Sequence, residues 1–268
     1  MLRGTNTIVR SSSFIPIFAY LLQGLEQHSS DMNIQEMVGD QFPTTRWVMP
    51  RAHDKRVTVF GHDKAMYESA RELNAVISHE RDELIRGLRT RGGLSSEESS
   101  SLGARGRRSA AQMRKIVPGE FGTLAEKEWA NQRILLGVFS QGGAMALLSS
   151  LTNKYQLGGV FVLSGFLRMR EKLPQYAADR HQKNIPVFWG HGENDSYVPC
   201  VVEDATASVA LLRSSKPNRV EEGGVGLHHL QFMTYPNFDH AWFDGELIDL
   251  AVWMSNLLEN LQMPFIFS

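Results

Sequence analysis

One cysteine, Cys200, stands among the 268 residues, so no internal disulfide can form, and a reducing, cytoplasmic compartment is the matching expectation. Long apolar runs are missing too: none reaches the roughly 18 to 20 residues of a membrane span. Neither sign of charge dominates, since 28 Lys+Arg against 29 Asp+Glu leaves a formal charge of -1. A binder driven by its global field toward nucleic acid is therefore excluded, and membrane contact is expected to be at most peripheral, through a substrate. No H-E-x-x-H, no C-x-x-C and no glycine-rich phosphate loop occurs, so no metal and no cofactor is expected. No internal repeat is visible.

What is present is ordinary for a globular chain, with 42% hydrophobic and 21% charged residues. The start holds Arg3, Arg10 and three consecutive serines ahead of the apolar stretch "FIPIFAYLL" at 14–22. That stretch reads either as the apolar part of a targeting peptide or as a first core strand; Pro16 and the want of a small-residue cleavage pattern favour the strand. "RWVMP" at 46–50 is a short strand candidate stopped by proline.

Residues 65–88 place Leu73, Val76, Ile77, Leu84, Ile85 and Leu88 at helical intervals between charged residues, which predicts an amphipathic helix. The character then changes. The segment 89–118 is rich in glycine, serine and arginine and poor in large apolar residues, so a flexible insertion is expected there within a single domain spanning 1–268. Its arginines could meet anionic lipid or RNA; a solvated loop is the better reading, because no aromatic residue is interleaved for stacking.

From Arg133 onward, "RILLGVF", "LGGVFVLSG" and "IPVFWGHG" are three apolar runs of strand length, separated by stretches long enough for helices. Strands apolar on both faces imply an α/β fold with a mostly parallel central sheet and helices on both faces. "LHHLQFMTYP" adds a strand of mixed alternation that takes in His228 and His229, and "ELIDLAVWMSNLLENL" spaces Leu247, Leu250, Met254, Leu257 and Leu261 as a helix packed on the sheet.

Ligands and reacting groups collect past the carboxyl ends of such strands, and three candidates lie there: Ser140, Asp195 and His240. A serine hydroxyl is a weak nucleophile until an imidazole takes its proton, and a carboxylate fixes the imidazole tautomer and stabilises its cation. The order Ser, Asp, His is that of the α/β-hydrolases. The backbone N–H of Gln141, next after the nucleophile, would serve as one oxyanion donor. Each residue has a plainer reading: Ser140 as a strand-end serine, Asp195 as a turn former before Tyr197 and Pro199, His240 as a cap on the last helix. Their shared placement and order favour the joint reading. His191, inside "GHG", reads as a supporting residue rather than the base.

"FSQGGAMAL", "VLSGFL", "FWGHGENDSYVP" and "YPNFDHAWFDGELIDLAVW", in that order, resemble the signature blocks of the acyl-protein thioesterase and carboxylesterase branch of the α/β-hydrolases, the phospholipase/carboxylesterase family. "FPTTRWVMPRA" is similar to its early strand as fungal members write it. The resemblance covers about two-thirds of the chain and implies an α/β-hydrolase fold. Residue by residue, it implies that Ser140 is the nucleophile, Asp195 the acid, His240 the base and Gln141 the oxyanion residue. The implied activity is hydrolysis of a carboxylic ester or thioester through an acyl-enzyme, with acyl esters and S-acylated (palmitoylated) protein as substrate classes. The alternative is an impaired relative that only binds acyl chains or a protein.

The sequence also departs from the family's pattern. Glycine is usual where Val138 stands, and the family's "HGLGD"-like loop has only "LLQGLEQ" at 21–27, where Gln23 replaces histidine, Glu26 replaces glycine and Leu25 would offer the amide. The tryptophan-containing block expected after Met66 is absent. Glycine at such a turn leaves room for helix and strand to approach, so Val138 must either point its isopropyl group into a tolerant gap or tilt the helix that begins near Gly142. Overpacking a tight site costs about 1 to 3 kcal/mol, and Val138→Gly is expected to raise stability and turnover, unchanged values meaning that the site accommodates valine.

Overall fold

The computed structural model describes residues 17–22, 38, 41–42, 45–48, 63–90, 121–140, 142–167, 173, 183–196, 202–214 and 224–261. Strands β1 (Ile17–Leu22), β2 (Thr45–Val48), β3 (Ile134–Phe139), β4 (Gly159–Leu163), β5 (Val187–Gly192) and β6 (Leu230–Tyr235) form one sheet in the order β2-β1-β3-β4-β5-β6. Every neighbouring pair is parallel. Five described helices accompany it: α1 (Asp63–Thr90), α2 (Leu124–Asn131), α3 (Gly142–Thr152), α4 (Val202–Arg213) and α5 (Asp244–Leu261).

The apolar runs of the central strands divide by parity, because successive side chains leave a strand on opposite faces. Ile134, Leu136 and Val138 of β3, Val160 and Val162 of β4, and Val187 and Trp189 of β5 share one core cluster with Leu73 and Ile77 of α1, Leu147 and Leu151 of α3 and Val209 of α4. Leu135, Phe161, Leu163 and Phe188 belong to the other, with Leu247, Leu250 and Met254 of α5. The parallel sheet covered on both faces is therefore as its continuous hydrophobic runs predict. β6 lies at the edge of the described sheet, buried at Leu230 and Tyr235 and partly or fully exposed between them, in keeping with its mixed composition. His228 and His229 precede β6 and are exposed rather than lying within it.

Residues 17–22 form a strand between β2 and β3, as the core-strand reading of "FIPIFAYLL" requires; residues 14–16 lie outside the described set. The amphipathic helix runs to Thr90, two residues past the expected Leu88. Arg89, assigned from the sequence to the insertion, instead belongs to the last turn of α1. Its Nε and Nη2 donate to both carboxylate oxygens of Glu126 at 2.8 and 2.7 Å. Glu126 also completes a capping box with Thr123 at the start of α2, so one carboxylate joins the end of one helix to the start of another. The remaining insertion residues, 91–118, lie outside the described set. Among the described residues no helix is long and apolar enough to cross a membrane.

One buried carboxyl sits inside this packing. Glu246, in the first turn of α5, is 1% exposed, and its Oε1 occupies the space that a side chain at Gly190 of β5 would need. Burial, then the charge of Asp249, push its pKa up to about 8. A carboxyl whose pKa is raised on folding binds its proton more tightly in the folded chain. The associated stability is thus complete below the ordinary carboxylate range and is lost as the pH climbs through about 8. Glu246→Gln is expected to leave the melting temperature at pH 5 nearly unchanged and to raise stability at pH 9 by a few kcal/mol, on the order of the shift itself. Thermal unfolding of both proteins at the two pH values checks this; equal curves at pH 9 refute it.

Candidate active site

Ser140 follows β3 directly, Asp195 lies three residues beyond β5, and His240 five residues beyond β6. Parallel strands present these ends on one edge of the sheet, so residues far apart in the chain meet there. Nδ1 of His240 lies 2.8 Å from Oδ2 of Asp195, and Nε2 of the same ring lies 2.8 Å from Oγ of Ser140. Since a carboxylate only accepts, Nδ1 carries the proton toward Asp195, and Nε2 is left to accept the serine O–H. The structure thus brings together the three residues singled out from the sequence, in the arrangement that lets a hydroxyl lose its proton as it attacks.

The surroundings divide the three by solvent access. The Asp195 side chain is fully buried, while that of His240 keeps 10% exposure. The Phe139 ring lies 5.0 Å from the His240 ring, and Trp242 meets Phe139 edge-on at 4.8 Å, so aromatic side chains limit the movement of the imidazole. Behind the acid, the buried ring of His191 brings Nε2 to 3.4 Å from the same Oδ2, in keeping with a supporting place rather than that of the base. Gln141, Leu25 and Gln23 lie outside the described residues. Among the described residues no cluster of His, Cys, Asp and Glu could hold a metal ion.

Ser140 has φ 56°, in the left-handed region that non-glycine residues rarely adopt. Such a residue projects its side chain away from both strand and helix, which is what a strand-to-helix elbow requires. Its N–H donates to Leu163 O at 2.9 Å and its carbonyl accepts from Gly143 N at 2.9 Å, which holds the strained turn between β4 and α3. The close passage lies on the helix side. A Cβ at Gly143 would stand 2.8 Å from Val162 Cγ1 and 3.2 Å from Gly165 Cα, and one at Gly165 would collide with the same Val162 methyl and lie 3.3 Å from Ser140 O.

Val138, by contrast, is fully buried in the larger core cluster, in register with Val162. The expected overpacking is therefore corrected: Gly143 and Gly165 provide the close approach, and the valine fills core volume. Sequence reasoning missed these two glycines, the aromatic pair Phe139 and Trp242, and Asp239, whose carboxylate touches two of the site's loops. The acidic residue beside the base was visible in the sequence, but not the loop it would reach.

Comparison with known proteins gives the chain's relatives. The model of a family described as phospholipase/carboxylesterase matches residues 94–229. The acyl-protein thioesterase 1 of Cryptococcus neoformans is 27% identical over 228 residues, covering 84% of this chain and 85% of that protein. That of Kluyveromyces lactis is 33% identical over 128 residues, 48% of this chain and 51% of that protein. Among solved structures, Arabidopsis thaliana SOBER1 superposes with a TM-score of 0.57 at 18% identity, over 91% of this chain and 99% of that one. This is a likeness of fold.

Val138→Gly is expected to destabilise the chain by about 2 to 4 kcal/mol, since it removes a buried side chain and loosens a central strand. Gly165→Ala is expected to lower ester turnover about tenfold or more, because the added methyl displaces the Ser140 turn. Denaturant unfolding of the first and steady-state kinetics of the second check these expectations; a stabilised Val138→Gly would restore the overpacking account.

Proposed function

The chain belongs to the phospholipase/carboxylesterase family and is a serine hydrolase acting on esters or thioesters, and from that premise we propose that Ser140, Asp195 and His240 are its catalytic triad and that S-acylated protein is its substrate. The observation that carries the proposal is the unbroken pair of contacts at 2.8 Å from Asp195 through His240 to Ser140. The names of the relatives, acyl-protein thioesterase 1 in several fungi, support the substrate class.

In this reading Ser140 Oγ attacks the acyl carbonyl carbon while its proton passes to His240 Nε2. The buried Asp195 stabilises the imidazolium that forms. Negative charge gathers on the carbonyl oxygen, where the N–H of Gln141 and the N-terminal end of α3 would meet it; one such donor is worth about 3 to 4 kcal/mol of barrier. Collapse of the tetrahedral intermediate breaks the carbon–sulfur or carbon–oxygen bond, and the leaving group takes the proton from His240. Water then attacks the acyl-serine with His240 as base, which releases the carboxylic acid and restores Ser140. Every proton is returned. The setting proposed is the cytoplasm, in keeping with a chain whose one cysteine forms no internal disulfide.

A fluorophosphonate probe is expected to label the protein, and Ser140→Ala to abolish the label. Asp195→Asn is expected to lower kcat by about 10⁴-fold while the chain stays folded. Release of the thiol from an S-palmitoylated peptide, followed against hydrolysis of p-nitrophenyl butyrate, tests the substrate class. Turnover of the small ester with an untouched palmitoyl thioester would leave a carboxylesterase and refute the thioesterase reading. Retention of acyl ligand with no turnover of either would point to a binding protein.

A further inference from the structure

We propose that Asp239 is a positioning residue whose carboxylate locks the loop bearing Asp195 to the loop bearing His240; this rests on the triad reading of those two residues with Ser140. The two loops run side by side beyond β5 and β6. Glu193 N–H donates to Tyr235 O and Asn194 N–H to Phe238 O, both at 2.9 Å. Thr234 Oγ1 donates to Glu193 Oε1 at 2.8 Å. Their backbones pass so closely at Gly192 that a Cβ there would collide with Phe238 O and stand 2.7 Å from Asp239 O.

These bonds reach only as far as Asn194 and Phe238. Where the acid and the base themselves follow, a side chain takes over. Asp239 Oδ1 accepts from Ser196 N at 3.0 Å, from Ser196 Oγ at 3.2 Å and from His240 N at 2.8 Å. One oxygen thus holds the residue directly after the acid and the main chain of the base. The contact between His240 Nδ1 and Asp195 Oδ2 then joins side chains whose backbones are already fixed to each other. Serine or threonine would not reach as many donors with charge, and charge-assisted bonds are the shorter and stronger kind. The donors from Ser196 and His240 hold the Asp239 carboxyl below the usual aspartate range, so it is ionised wherever a neutral imidazole can act as base. Asp239 itself is exposed and has no bond to the Ser140 hydroxyl or to the His240 ring among the described contacts, so its effect passes through the two loops.

The test compares wild type, Ser140→Ala, Asp239→Ala, Asp239→Asn and Ser196→Ala on p-nitrophenyl butyrate, with the melting temperature measured for each. Asp239→Ala is expected to lower kcat by about 10- to 100-fold with KM within about twofold, as small misplacement of reacting groups does. Asp239→Asn keeps the accepting oxygen and is expected to recover most of the lost kcat. Ser196→Ala loses one donor of three and is expected to lower kcat by about two- to fivefold, which keeps the idea testable if Asp239→Ala fails to fold. The low-field proton resonance of His240 Nδ1–H should weaken or shift in Asp239→Ala and return in Asp239→Asn. Unchanged kcat in Asp239→Ala, or a loss that merely follows the unfolded fraction, overturns the positioning role while Ser140→Ala remains inactive. Full activity in Ser140→Ala would instead overturn the triad reading itself.

Discussion

The left-handed backbone at Ser140, φ 56°, is the constraint on which the site depends. A non-glycine residue held there costs about 1 to 3 kcal/mol, so the rest of the structure must hold it in place. β4 supplies one restraint through Leu163 O, and the first turn of α3 supplies another through Gly143 N. For α3 to come close enough, Gly143 and Gly165 must face one another past the Val162 methyl with no side chain between them. The strain at one serine is thus a consequence of packing two bare backbones against a central strand. The gain is a hydroxyl thrust clear of the sheet edge, where an imidazole from a distant loop can reach it.

The sheet provides the rigidity for this. β4 and β5 are buried along their whole length and β3 up to Phe139, and the parity of their side chains feeds two cores. β5 shows how tightly the second core is drawn up. Gly190 leaves room for the Glu246 carboxyl, which has so little solvent that it favours its neutral form despite standing in the first turn of a helix, where the dipole favours negative charge. Desolvation therefore wins over the dipole at this position. The same α5 begins beside the base loop: Phe243 stacks on Phe238 at 3.6 Å and meets Tyr235 edge-on at 4.8 Å.

Much of this was legible in the sequence because it rests on local pattern. Continuous apolar runs of strand length at 134–139, 159–163 and 187–192, bounded by glycine or serine, read as strands buried on both faces; the elements that carry Ser140 and Asp195 follow from two of those runs, and the one that carries His240 from the mixed run ending at Tyr235. Their chain order and the blocks around them were enough to bring the three together. Val138 was misread for a physical reason. A residue two before an elbow serine looks constrained when only its neighbours in sequence are known, yet the close approach is made by Gly165, which comes from the end of another strand. Asp239 was passed over for the same reason: its partners are 43 residues away at Ser196 and next door at His240, and only the meeting of the loops gives it a place.

The three residues are not held alike. Ser140 sits at the end of β3, which has a strand on each side, whereas His240 hangs beyond β6, which among the described residues is an edge strand paired with β5 alone. An edge strand's loop has fewer neighbours to define it, and a hydrogen bond of 2.8 Å to a serine tolerates little drift. The base loop is tied to the loop after β5 through Phe238 O and the Asp239 carboxylate, and to the residue after β4 through Ala241 O, which accepts from Ser164 Oγ at 3.3 Å. Acid and base are therefore joined to each other by their loops, and the distance that decides proton transfer is set where those loops meet the strand ends that carry the Ser140 turn.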